Sequence, residues 1–135
     1  YTSEDIQKYA EALGIKKQVH VAGEVYGSEK YALLNASDAY ISLSFRENFN
    51  YSAAEAMAVG IPVILSPGND LQGEITDVDC GWMLDTLTAT ESKDCLIDFM
   101  STSSQILKDK GRRGRDWVSN HLGFDQFQKN LQSIL

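Results

Sequence analysis

The segment over residues 39–66 constrains the fold of this chain more than any other. An apolar run over 39–43 leads into a loop, an alanine-rich run over 51–59 ends at Gly60, and a second apolar run follows Pro62. Short apolar runs bounded by turn residues are typical of buried strands, and a glycine just past a helical run is typical of a helix end. The pattern therefore predicts a strand, a helix and a second strand.

The same alternation continues along the chain and predicts an α/β fold, a Rossmann-like parallel sheet with helices on both faces. The first expected element is a helix that is capped by Ser3 and closed by Gly14, and a strand over 19–23 follows it. The later expected elements are a helix over 28–35, a helical turn over 73–77, a strand over 81–84, one helix over 91–110 ended by Gly111, and helices over 112–121 and 124–135.

Length, charge and composition exclude several classes of function. With 135 residues, the chain is expected to form a single domain over 1–135. A net charge of −7 argues against a nucleic-acid groove or an anionic membrane surface as partner. No apolar run approaches the roughly 20 residues that cross a bilayer, and no secretory signal is visible, so we expect a cytoplasmic protein. The two cysteines and two histidines lack metal-ligand spacing, so we expect no metal site.

Two carboxylates and a helix N-terminus suggest a ligand. Asn50 is a suitable N-cap for the helix over 51–59, whose first turn is expected to present free N–H groups. Such a terminus binds phosphate, and parallel sheets bind ligands at the carboxyl ends of their strands. Glu47 and Glu55 can accept hydrogen bonds from hydroxyls, so a nucleotide sugar fits. Spacing alone leaves a plainer interpretation open, in which Glu47 is a solvated loop residue and Glu55 an ordinary helix-surface acid.

The run SFRENFNYSAAEAMAVGIP over 44–62 resembles the donor-binding signature of retaining GT-B glycosyltransferases, the glycosyl transferase group 1 family. The family pattern is a glutamate, a short stretch containing Phe-Gly, then Glu-Ala-Met-Ala and Gly-x-Pro-Val. Flanking pieces agree with it: VHVAG at 19–23, ASDAY at 36–40 and CGW at 80–82. The resemblance implies the C-terminal, nucleotide-sugar-binding half of a two-domain GT-B enzyme.

The resemblance also implies an activity and a set of site residues. The intact enzyme would transfer a hexose from a nucleoside-diphosphate sugar to an acceptor hydroxyl, with retained configuration and without a metal or any other cofactor. Glu47 would contact hydroxyls of the transferred sugar and is the catalytic candidate, though not a nucleophile, and Glu55 would hold the ribose. The resemblance further implies two groups of donor-binding residues. The first would line the sugar and diphosphate with its backbone: Asn48, Phe49, Asn50 and Tyr51. The second would lie against the base: Gly23, Glu24 and Val25.

Two departures from the family pattern affect these expectations. Asn50 stands where the family usually has glycine, and asparagine tolerates a left-handed conformation better than most residues do. The basic pair that neutralises the diphosphate and the acceptor-binding domain are expected upstream of Tyr1, so this chain alone is expected to be inactive. Self-association is then expected through the apolar residues of the last helix: Phe124, Phe127, Leu131 and Leu135.

Two other functions remain open from the sequence. One is a non-catalytic Rossmann-like domain that serves as a scaffold or partner surface. The other is a GT-B nucleotide-sugar epimerase, although the EAMA run over 55–58 favours the transferase. Binding of a nucleotide sugar separates the scaffold from the enzymes. The basic run over 108–115 is expected to be a solvated helix junction without a ligand.

Overall fold

The computed structural model describes residues 2–123, and the chain divides after Ala32 into two compact units. The first unit holds α1 (Ser3–Ala12) and most of α2 (Gly27–Asn35). The second unit contains β1 (Tyr40–Ser42), α3 (Tyr51–Val59), β2 (Val63–Leu65), α4 (Gln72–Val78), β3 (Gly81–Met83), α5 (Ala89–Ser101) and α6 (Ser104–His121). The helix expected over 124–135, with the apolar residues assigned to self-association, lies outside the described residues.

Helix α1 is capped by Thr2, so the prediction of Ser3 as N-cap is wrong by one residue. The Thr2 hydroxyl oxygen accepts a hydrogen bond from the N–H of Asp5 at 3.2 Å, and the Asp5 carboxylate accepts one from the N–H of Thr2 at 2.8 Å. This capping box satisfies two N–H groups that the helix leaves open, and it lowers the pKa of Asp5. The glycine stop is confirmed, because Gly14 follows the C-cap with a φ of +69°.

The strand expected over 19–23 is absent. Residues 19–26 have no regular structure, and the only sheet among the described residues contains β1, β2 and β3. A strand is held by hydrogen bonds to a neighbouring strand. Val19 and Val21 favour an extended backbone, but that preference does not supply a partner. The resemblance at 19–23 therefore corresponds to an irregular segment in this structure.

Helix α2 confirms the helix predicted over 28–35, but it buries less than the sequence suggested. The apolar sequence of α2 predicts Tyr31, Leu33 and Leu34 as inward residues, but Tyr31 and Leu33 are exposed and only Leu34 packs against the core. The apolar residues of α2 are consecutive, and successive side chains on a helix point in different directions. A run of this kind cannot turn all its members to one face.

The sheet is parallel and has the order β1-β2-β3. This confirms the three predicted strands, which are the apolar run over 39–43, the run after Pro62 and the strand over 81–84. Tyr40 lies opposite Val63, and Val63 lies opposite Gly81. All three residues of the central strand β2 are buried. A parallel strand that is buried on both faces needs an uninterrupted apolar sequence, as the run over 63–65 provides.

Helices pack on both faces of this sheet, as predicted. One face carries the core, which α3, α4 and β2 build around Ala53, Met57, Val63, Leu65 and Ile75. Trp117 of α6 packs against this core, and so does Met83 of β3. Neighbouring strand residues point to opposite faces, and Trp82 contacts Phe99 of α5 edge-to-face with a ring separation of 5.6 Å. Within the described residues, no helix is both long and apolar enough to cross a membrane.

Helices α3 and α6 approach each other at two glycines. A Cβ placed on Gly111 would lie 1.9 Å from the carbonyl oxygen of Gly60, closer than any side chain can fit. Gly60 ends α3 in the left-handed region with a φ of +87°. Gly114, one turn further along α6, lies against Met57 and Cys80. The backbone of α6 is therefore pressed directly onto the end of α3.

The helix predicted over 91–110 is wrong in both its bounds and its break. Helix α5 ends at Ser101, and α6 begins at Ser104 and continues through Gly111 to His121. The break lies at Ser103, whose side chain accepts a hydrogen bond from the N–H of Ile106. Serine favours the N-cap position, whereas a glycine inside a helix is tolerated where packing needs the space. A prediction from local helix propensity alone therefore puts the break at Gly111 instead of Ser103.

The basic run over 108–115 is not a solvated junction, because two of its residues bind the end of α4. Asp79 has a φ of +53°, and its carboxylate forms ion pairs with Lys110 and with Arg113, the latter at 2.8 Å. The Arg113 guanidinium also donates to the Asp79 carbonyl oxygen at 2.8 Å. The Lys110 ammonium lies 4.9 Å from the centre of the Trp82 ring. These contacts fix α6 against the loop between α4 and β3.

Candidate functional site

Polar residues collect where the parallel strands β1 and β2 end. Ser44 and Glu47 follow β1, and Ser66 and Asn69 follow β2. The Ser66 hydroxyl donates to the carbonyl oxygen of Ser44, and the Ser44 hydroxyl donates to Oε2 of Glu47 at 3.2 Å. Glu47 and Asn69 are paired in an isolated parallel bridge, so the two loops are joined beyond the strands. The half-buried Glu47 is thus held in place at the edge where parallel sheets bind ligands.

Asn50 caps α3, as the sequence predicted. Its Oδ1 accepts a hydrogen bond from the N–H of Ala53 at 3.0 Å, and the residue is 5% exposed. Its φ of −78° is open to any residue. The tolerance of asparagine for a left-handed conformation is therefore not used at this position. Asparagine instead provides a capping oxygen, which glycine lacks.

The first turn of α3 has fewer free N–H groups than the sequence suggested. The N–H of Ala53 donates to Asn50, and that of Tyr51 donates to the carbonyl oxygen of Phe49 at 3.0 Å. The first turn also contains the N–H of Ser52, and within residues 2–123 this group has no protein acceptor. The backbone contribution to an anion site at this terminus is correspondingly smaller than expected.

Glu55 lines a groove to which Glu47 does not contribute. Glu55 is half-buried, and the groove is open, with a volume of about 610 Å³, and lies between α3 and the end of α6. The other lining residues are mostly apolar: Phe49, Tyr51, Ala54, Ala58, Val118 and Leu122. The two carboxylates are therefore carried by the same loop–helix segment, but the structure does not bring them into a single cavity.

The residues assigned to the base lie in the first unit. Gly23 has a φ of +72°, and Gly23, Glu24 and Val25 belong to the irregular segment rather than to a strand end. The hydroxyl of Tyr26 donates to the Glu24 carboxylate at 2.8 Å, a bond that raises the pKa of Tyr26. Their contact with a base stays a prediction, as does the backbone contact of Asn48 with a sugar.

Sequence reasoning missed Asn69. From the sequence alone, the run SPGND over 66–70 indicates only a break between two elements. Asn69 is 4% exposed, and its Oδ1 accepts a hydrogen bond from the N–H of Leu71 at 3.2 Å. The signal that could have found it is its position, because residues just past a strand of a parallel sheet lie at the ligand-binding edge.

The fold and its polar edge define an α/β domain of the GT-B type. Residues 2–117 match the family model described as glycosyl transferases group 1, and the chain belongs to this family. The family inferred from the run over 44–62 is thereby confirmed.

Relatives of known sequence or structure agree with this assignment. The chain is 23% identical to trehalose synthase from Pyrococcus horikoshii, over 100% of this chain and 32% of that protein. It is similar in structure to WaaG, a glycosyltransferase involved in lipopolysaccharide biosynthesis, with a TM-score of 0.79, 18% identity, and coverage of 96% of this chain and 34% of the other.

A second structural neighbour is the C-terminal domain of LpcC, a glycosyl transferase group 1 family protein from Francisella tularensis. The TM-score is 0.76 at 22% identity, with coverage of 90% of this chain and 62% of that domain. Likeness at this level of identity shows the fold, and it confirms the predicted GT-B architecture. The chain spans about a third of the length of the trehalose synthase that it matches.

Proposed function

We propose that this chain is the donor-binding part of a retaining glycosyltransferase that moves a hexose from a nucleoside-diphosphate sugar to an acceptor hydroxyl. The observation that carries the proposal is the polar edge itself. Glu47, held by Ser44 and bridged to Asn69, lies beside the Asn50-capped terminus of α3. A carboxylate that can bind sugar hydroxyls then lies next to a helix end that can bind an anion, as a sugar diphosphate requires.

In this proposal Glu47 accepts hydrogen bonds from hydroxyls of the transferred sugar, and Glu55 accepts them from the ribose. The acceptor oxygen bonds to the anomeric carbon while the bond from that carbon to the diphosphate oxygen breaks. The acceptor proton passes to the leaving diphosphate, so no side-chain nucleophile is needed. The positive end of the α3 dipole favours the negative charge that develops on the diphosphate.

The remaining requirements are also part of the proposal. A basic pair outside this chain neutralises the diphosphate, a separate domain binds the acceptor, and no divalent metal takes part. The reaction is proposed to take place in the cytoplasm. Self-association of this chain alone is proposed through the apolar residues over 124–135.

The test is calorimetric titration of the protein, at the full length its gene encodes, with uridine, guanosine and adenosine diphosphate sugars. We expect one donor to bind, and Glu55→Ala to weaken that binding at least tenfold, about 1.4 kcal/mol. Asp116→Ala, which removes an exposed acid from α6, is the control and should leave binding unchanged. A chelator should also change nothing if no metal takes part.

Two outcomes would contradict the proposal. Absence of binding to every donor would favour the non-catalytic scaffold. Binding that Glu55→Ala leaves intact would remove Glu55 from the ribose site. An epimerase would be recognised by a donor that is bound and altered at a sugar carbon without any acceptor.

A further inference from the structure

Two buried asparagines at the polar edge each hold an amide nitrogen that has no protein partner. Nδ2 of Asn50 and Nδ2 of Asn69 are buried, and neither reaches an acceptor among the described residues. The residues are 5% and 4% exposed. Buried donors in native proteins are almost always satisfied, so a pair of unsatisfied donors in one region needs a cause.

The orientation of both amides is fixed by their oxygens. Oδ1 of Asn50 accepts from the N–H of Ala53, and Oδ1 of Asn69 accepts from the N–H of Leu71. Turning either amide over would place its nitrogen against an N–H donor and lose the bond. The two nitrogens therefore cannot reach a protein acceptor by a flip.

The two amides belong to neighbouring loops at the same edge of the sheet. Asn50 follows β1 and Asn69 follows the adjacent strand β2, and the bridge between Glu47 and Asn69 joins their loops. The Glu47 carboxylate can only accept hydrogen bonds, whereas the two Nδ2 groups can only donate them. A ligand that carries both hydroxyl groups and acceptor oxygens would satisfy all three.

We infer that Asn69 is a donor-binding residue that, together with the side chain of Asn50, donates hydrogen bonds to oxygens of the nucleotide sugar. The inference rests on the proposed function and adds to it a residue from the loop after β2. It also assigns ligand binding to the side chain of Asn50, in addition to the contact proposed for its backbone. The shared chemistry is an acceptor oxygen, and a hydroxyl of the sugar or an oxygen of the diphosphate can supply it.

The experiment removes the amide N–H groups of Asn69 and keeps the side-chain oxygen that accepts from Leu71. In Asn69→Asp, a carboxylate oxygen can still accept from Leu71, but the N–H groups are lost. We expect the affinity for the nucleotide sugar to fall about tenfold, the effect of one lost hydrogen bond to a ligand. Gln72→Glu is the matched control, because it makes the same amide-to-carboxylate change at an exposed position of the next helix, and it should bind as the wild type does.

A second variant removes the effect of the new charge. Asn69→Ser is neutral, keeps a side-chain acceptor and should weaken binding to a similar extent; it also serves if Asn69→Asp does not fold. Titration with the nucleoside diphosphate alone distinguishes the two oxygens. Equal losses for diphosphate and nucleotide sugar assign the bond to phosphate, and a loss confined to the nucleotide sugar assigns it to a hydroxyl.

The failure of this inference differs from failure of the proposed function. If the wild type binds a donor and both Asn69 variants bind it as tightly, the amides are satisfied by bound water and the inference is overturned alone. If the wild type binds no donor at all, the proposed function and this inference are overturned together.

Discussion

At the scale of single residues, Asn50 combines two demands that are usually met separately. Its side-chain oxygen ends the helix, and its nitrogen has no protein partner among the described residues. A glycine at this position could leave the chain free to bend but could cap nothing. The substitution of asparagine for the family's usual glycine thus adds stability to α3 where the proposed ligand would lie.

Replacing Asn50 with alanine should lower the free energy of unfolding by about 1 kcal/mol, because the N–H of Ala53 loses its acceptor. Asn50→Ser keeps a capping oxygen without burying a charge and should stay closer to the wild type. Urea unfolding followed by circular dichroism measures both. An Asn50→Ala variant as stable as the wild type would contradict the capping role.

At the scale of elements, the contact between α3 and α6 depends on the absence of side chains. The carbonyl of Gly60 occupies the space that a Cβ on Gly111 would need. From the sequence, Gly111 indicated a helix break, because glycine is a poor helix former. The structure shows the opposite role, since this glycine allows an unbroken helix to pack closely.

Gly111→Ala should therefore destabilise the protein by at least about 2 kcal/mol, because the two helices must move apart to admit a methyl group. Gly73→Ala is the matched control, since Gly73 lies within α4 and an added Cβ there meets nothing within 4 Å. That control should raise stability by about 0.5–1 kcal/mol, through better helix propensity. Thermal unfolding of the two variants compares them directly, and equal effects would contradict the packing role.

The elements that the sequence predicted well are those whose signals are local. Helix α3 has its own cap and its own glycine stop, and β2 is an uninterrupted apolar run, so their bounds follow from neighbouring residues. The segment over 19–23 has strand-forming residues, but within residues 2–123 no strand pairs with it. The helix break lies at Ser103, which caps α6, and not at Gly111. Gly111 stays inside α6 because of its close contact with Gly60, and the sequence does not show that contact.

The candidate site divides in the same way. Glu47, Asn50 and Glu55 could be predicted because they share one short motif with a recognisable spacing. Asn69 could not, since its importance comes from the bridge to Glu47 across two loops that only the folded sheet brings together. A pattern search along one segment does not contain that information.

At the scale of the whole molecule, Cys80 lies beneath the packed layer of α6. The residue is fully buried beside Gly114, and burial raises the pKa of its thiol from 9.0 to about 11. Above the lower value, the unfolded chain releases the thiol proton while the folded chain retains it. Ionisation then favours the unfolded state, so this group lowers stability as pH rises.

Between about pH 9 and about pH 11, the free energy of unfolding should fall more steeply for the wild type than for Cys80→Ala. Lysine and tyrosine titrations affect both proteins and cancel in the comparison. Urea unfolding across this pH range measures the difference in slope. Identical slopes would show that the thiol titrates alike in the folded and unfolded chains.

The packing of the sheet has a consequence for spectroscopy. The chain contains two tryptophans in different surroundings: Trp82 contacts Phe99 of α5 and lies against Lys110 of α6, whereas Trp117 packs on the core. Trp82 is therefore an optical reporter of the contacts around β3, and Trp117 is one of the core. Variants that retain a single tryptophan would allow fluorescence to follow the loosening of either region without an added dye.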